Sequence, residues 1–147
     1  METVQYALGP VSSLLVWRAV SSGLIDVPRE MDREPDLSRC RARVGDVRKI
    51  AVIRQLAETM DLVPLDVLVS DPKRVHRCKS LDTIVLRRPL PPRALCRVDE
   101  GVYICSPALC FALLARSANR VHLLEVGMEL CGTYTMALDG SGAFRNC

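Results

Sequence analysis

Apolar residues recur along this chain with two different periods, and the switches between them mark out most of the elements. Ser12 and Ser13 precede Leu14, Leu15, Trp17, Ala19 and Val20, and Gly23 closes the run, which predicts a short helix capped by serine. Residues 26 to 43 hold Pro28 and Pro35 among alternating charges and few large apolar groups, so a mobile surface loop is expected there. Val47, Ile50, Ala51, Arg54, Ala57 and Met60 then fall at helical spacing, with Val52, Ile53 and Leu56 widening the apolar face. A second, largely buried helix is expected from about Val44 to Asp61.

The period changes to two at Leu65, Val67 and Val69, which predicts a strand ahead of a Ser-Asp-Pro turn. Thr83 to Arg87, Leu95 to Val98 and Val102 to Cys105 read as three more. The stretch RPLPPR, Arg88 to Arg93, cannot continue a central ladder because proline lacks the amide donor, so it is expected as a loop or an exposed edge. Ser106-Pro107 follows the fourth strand without a spare residue. Serine accepts the orphan amides of a first helical turn and proline suits its first position, so a strand-to-helix junction is predicted at Cys105. Val121, Leu124, Met128 and Cys131 mark a last helix ended by Gly132.

Taken together, the pattern predicts an α+β fold, a small mainly antiparallel sheet of about four strands packed with about four helices. With 147 residues and 49% hydrophobic content, one domain over 1–137 is expected, followed by a flexible tail at 138–147. No apolar run reaches 18 residues and no secretory signal precedes the first helix, so the expectation is a cytoplasmic protein with no membrane partner. Seven cysteines, an odd number with several at apolar positions, fit reduced thiols in such a compartment.

Charge changes the picture in one place. The net charge is only +3, yet Asp71 to Arg97 contains eight lysines and arginines against Asp71 and Asp82. That stretch carries +6 and leaves −3 for the remainder. Within it, DPKRVHRCKS puts Lys73, Arg74, His76, Arg77 and Lys79 on a loop between two strands, and Arg87 and Arg88 end the next strand. If the strand pairs beside the loop, the seven side chains form one basic face suited to phosphate oxygens, so DNA is the first candidate partner. A plain solvated loop is the alternative.

Catalytic and metal patterns are thinner. Asp71-Pro72-Lys73 has the Asp-x-Lys spacing by which metal-dependent nucleases hold Mg²⁺ and steady the attacking water, with Asp61 or Asp66 as a second carboxylate, but an Asp-Pro turn explains the same letters. His76 and Cys78 with Cys96, Cys105 and Cys110 could make four zinc ligands if the loop folded back, without any C-x-x-C pair to support it. His122 has no serine or cysteine partner that spacing nominates. No catalytic residue, metal or cofactor is therefore expected. The helices at Pro107 to Ala115 and Val121 to Cys131 are apolar enough to leave a stripe for a second chain.

The order SSLLVW, LDVLVSD, basic loop, RRPLP, GVYICSPALCFALLA and LLEVGMELCGTY resembles the central region of AbiEi-type antitoxins, over roughly Ala7 to Tyr134. In that family and its actinobacterial relatives, a similar segment follows a winged-helix DNA-binding domain or precedes a nuclease-like domain of the PD-(D/E)XK class. The resemblance implies a non-catalytic antitoxin-like or regulatory role in a toxin-antitoxin or phage-defence setting, binding nucleic acid or a partner such as a cognate toxin or nuclease-like protein. It also leaves two alternatives, a truncated or degenerate Mg²⁺-dependent nuclease and a protein–protein interaction module. The family's usual Arg-Thr-Leu-x-Asp after Ser-Pro-Ala is replaced by Leu109, Cys110, Phe111, Ala112 and Leu113, so no role of those polar residues carries over. With no winged helix ahead of Ala7 and an end at Cys147, the recognition portion alone is expected.

Overall fold

Two strand-to-helix junctions of the same design set the frame. Strand β1 (Tyr6–Leu8) runs through Gly9 into α1 (Pro10–Ser21), and β6 (Val102–Cys105) runs through Ser106 into α2 (Pro107–Leu114). Each helix starts on a proline, whose missing amide costs nothing at the first helical position. The computed structural model describes residues 4–30, 35–41, 51, 54–55, 65–75, 81–131, 134–136 and 144–146.

β1 and β6 lie side by side and parallel, with Tyr6 opposite Val102 and Ala7 opposite Tyr103. The other members of the sheet are β2 (Arg29–Glu30), β3 (Leu65–Val69), β4 (Leu81–Val85) and β5 (Leu95–Asp99), in the order β2-β5-β6-β1-β3-β4. β3 is antiparallel to β1 and parallel to β4, whereas β5 is antiparallel to both β6 and β2. The fold class is α+β, but the expected sheet of about four mainly antiparallel strands is corrected to a mixed one of six. β1 and β2 span three and two residues, too short for a period-two signal, and the brief connection from Ser70 to Ser80 reads as a hairpin although its strands are parallel.

Burial follows from the layering. All residues of β1, β3 and β6 are buried because alternate side chains enter different clusters. Leu8, Val67 and Ile104 pack with Val16 and Ala19 of α1 on one face. Ala7, Leu68 and Cys105 pack on the other with Cys110 and Leu114 of α2 and Val126 of α3 (Arg120–Leu130). Strands covered on both faces lose the polar-apolar alternation.

The serine cap expected for α1 is also corrected. Gly9 is the cap residue, and Ser12 and Ser13 are buried inside the helix. Ser13 Oγ accepts from Cys105 N at 2.9 Å and donates to Leu8 O at 3.3 Å, while Ser12 Oγ accepts from Asp66 N at 3.0 Å. Ser106 does act as the α2 cap, accepting from Leu109 N at 3.2 Å, and Asn119 caps α3 through His122 N at 2.8 Å. The expected helix at Val44 to Asp61 lies mostly outside the described residues, where Ala51, Arg54 and Gln55 are helical. From the tail expected to be flexible, Phe144–Asn146 pairs antiparallel with Tyr134–Met136 in a separate two-stranded sheet. Among the described residues, no helix is long and apolar enough to cross a membrane.

Candidate nucleic-acid interface

β3 and β4 are parallel and in register from Leu65 opposite Leu81 to Val69 opposite Val85, so both strands end at one level. Leu86 N donates to Val69 O at 2.8 Å and adds one more rung. Beyond β3, Asp71 caps a 3₁₀ turn at Pro72–Arg74, its carboxylate accepting from Lys73 N at 2.9 Å. That turn leaves Lys73 and Arg74 exposed, and Arg87 and Arg88 are exposed directly after the last β4 rung. Four of the seven expected cations therefore leave the same end of the sheet. His76, Arg77 and Lys79 lie outside the described residues.

The same end carries cations that the charge pattern did not single out. Because β1 is antiparallel to β3, Gln5 lies at this end, where it forms a parallel bridge to Cys40 and its carbonyl accepts from Arg41 N at 3.0 Å. Arg74 Nη1 donates to Cys40 O at 3.0 Å, which fastens the 3₁₀ turn to this bridge. Arg41 is exposed here, and Arg39 lies 3.9 Å from Asp36. Hydrogen bonds from Ser38 hold the Asp36 carboxyl below its usual range, with Arg39 and Arg74 pulling in the same direction. Among the described residues, Lys73, Arg74, Arg41, Arg87 and Arg88 form no ion pair. No local signal in 26–43 could have found Arg41, since its position depends on pairing with a strand far upstream.

The carboxylates of the nuclease pattern do not come together with Lys73. Asp66 sits three residues before the end of β3, about 10 Å back along the strand, and its carboxylate is taken up by Val11 N at 2.9 Å and Ser12 N at 2.8 Å. Asp61 lies outside the described residues. The zinc pattern separates in the same way, because Cys96 enters one face of the sheet while Cys105 and Cys110 enter the other. The Cys105 and Cys110 thiols donate to Leu8 O at 3.4 Å and Pro10 O at 3.2 Å. His76 and Cys78 are outside the described residues, and no group of three potential metal ligands occurs among those described. His122 is exposed on α3, 3.8 Å from Glu125.

No protein-family model, curated protein or solved structure matches this chain.

Proposed function

We propose that this α+β domain is a non-catalytic, antitoxin-like regulatory module that binds nucleic acid through the basic end of its sheet. The observation that carries the reading is the level ending of β3 and β4, which brings Lys73, Arg74, Arg87 and Arg88 to one edge, none of them in an ion pair among the described residues. Exposed, unpaired cations on a shared edge attract phosphate regardless of base sequence. The resemblance to the central region of AbiEi-type antitoxins supplies the setting, toxin-antitoxin or phage defence.

Binding of labelled duplex DNA at 50 and 200 mM salt tests this. Four phosphate contacts give an expected affinity loss of about a hundredfold between the two concentrations. The double variant Arg87→Ala, Arg88→Ala should bind more weakly on every duplex and lower the salt slope by about two. Absence of binding at low salt, or a variant that matches the parent protein, would overturn the reading. So would plasmid cleavage with Mg²⁺ that disappears in Lys73→Ala, which would point to an enzyme instead.

A further inference from the structure

Helix α3 turns three of its six large apolar side chains outward. Only Val126 is fully buried, whereas Val121 and Leu124 are each 68% exposed and Met128 is 46% exposed. Arg120, Leu124, Gly127, Met128 and Cys131 recur at intervals of three and four, which aligns them on one stripe of the helix. Phe111 of α2, 39% exposed, faces this stripe at Gly127. A Cβ on Gly127 would stand 3.0 Å from the Phe111 ring, so the missing side chain lets the ring form the groove wall. The groove holds about 560 Å³, and Leu123 completes its lining.

Its charge is one-sided. Arg120 stands at the α3 N-terminus, where the helix dipole is also positive, with the exposed Arg116 just ahead of it. Neither arginine forms an ion pair among the described residues. The acids of α3 are engaged elsewhere. Glu129 makes a two-pronged contact with Arg18 at 2.6 and 3.1 Å, and Glu125 faces His122.

We infer that the groove between α2 and α3 docks an amphipathic helix of a partner protein, with an acidic residue of that helix set against Arg120. The stripe from Arg120 to Cys131 spans about 16 Å, the length of three turns of a partner carrying apolar residues at i, i+3 or i+4, and i+7. A second copy of the chain fits less well, because this stripe holds an arginine and no carboxylate to answer it. This inference uses a different surface from the basic sheet end and is independent of it.

The test is fluorescence anisotropy with a synthetic helical peptide bearing leucines at those spacings and two glutamates in one terminal turn, against the same peptide with lysines in their place. The glutamate peptide should bind, the lysine peptide about tenfold more weakly, and Arg120→Glu should reverse that order. Leu124→Asp should abolish binding of both without lowering the melting temperature, since Leu124 is exposed. Failure of the glutamate peptide to bind, or equal binding of the two peptides to the parent protein and to Arg120→Glu, would overturn the proposal. A dimer in light scattering that Leu124→Asp dissolves would overturn it in favour of a second copy. Binding to anionic vesicles in place of the peptide would overturn it in favour of a lipid surface.

Discussion

Asp66 is buried between Leu65 and Val67, and it is the residue through which β3 starts a helix that belongs to another part of the chain. Its carboxylate caps α1 in place of a local side chain, its amide donates to Ser12 Oγ, and its carbonyl accepts from Gly9 N at 2.8 Å. The approach is so close that a Cβ on Gly9 would fall 2.5 Å from Asp66 Cγ, so glycine is required there for space. Asp66→Ala leaves the buried Ser12 amide and the part-buried Val11 amide without their acceptors, and urea unfolding should show a loss of about 2 kcal/mol. Burial pushes the Asp66 carboxyl above its ordinary value, while hydrogen bonds from Ser12 and Val11 oppose that shift. The folded state therefore holds this proton more tightly than the unfolded chain does. Its stabilising share is full below the ordinary carboxylate range and is lost as pH rises through the raised value. Stability measured against pH for the parent protein and for Asp66→Asn should differ by that falling slope. A constant offset between the two curves would refute the assignment.

Among the elements, those whose signals are local were legible. β3 and β6 have the boundaries expected for them, and Ser106-Pro107 marks the start of α2 because both residues act within a single turn. Replacing Ser106 with alanine removes the acceptor for Leu109 N and should cost about 1 kcal/mol in the same urea measurement. Elements defined by distant partners were not legible. Ser12 and Ser13 have the letters of a cap, but a capping acceptor from β3 displaces them into tertiary bonds, and nothing near residue 12 announces that. The interface divides along the same line. Lys73, Arg74, Arg87 and Arg88 stood out as a charge cluster, and the parallel register explains why they share an edge, whereas Arg41 reaches that edge only through the Gln5–Cys40 bridge. Of the second carboxylates weighed for the Asp-x-Lys pattern, Asp66 is turned to the start of α1 and Asp61 lies outside the described residues.

Across the whole molecule, the sheet separates its surfaces. One end carries Lys73, Arg74, Arg87 and Arg88 on the β3–β4 side and the Asp99–Glu100 turn on the β5–β6 side, the opposite end is occupied by the starts of α1 and α2, and the apolar groove lies on the outer side of α2 and α3. The thiols follow this plan. Cys40, Cys96, Cys105 and Cys110 are buried and Cys131 is exposed. Burial pushes the Cys40 thiol up to about 11 and that of Cys110 to about 12, and it raises Cys105 as well. Because the thiolate is the reactive form, brief alkylation of the native protein at neutral pH should mark Cys131 and spare Cys40, Cys96, Cys105 and Cys110, which should react only after unfolding. Peptide mapping by mass spectrometry reads this directly, and early marking of Cys105 or Cys110 would contradict the packing around them.

β1, made before either of the strands it pairs with, ends up in the middle of the sheet, with β3 on one side and β6 on the other. A growing polypeptide thus carries a central strand that gains its first partner when Leu65–Val69 has been made and its second only when Val102–Cys105 follows. Closure of such long loops is slow, and the sheet around β1 is complete only with β6. Until both partners have been made, residues 6 to 8 present apolar side chains and unpaired backbone groups, the two features of a strand edge open to other chains.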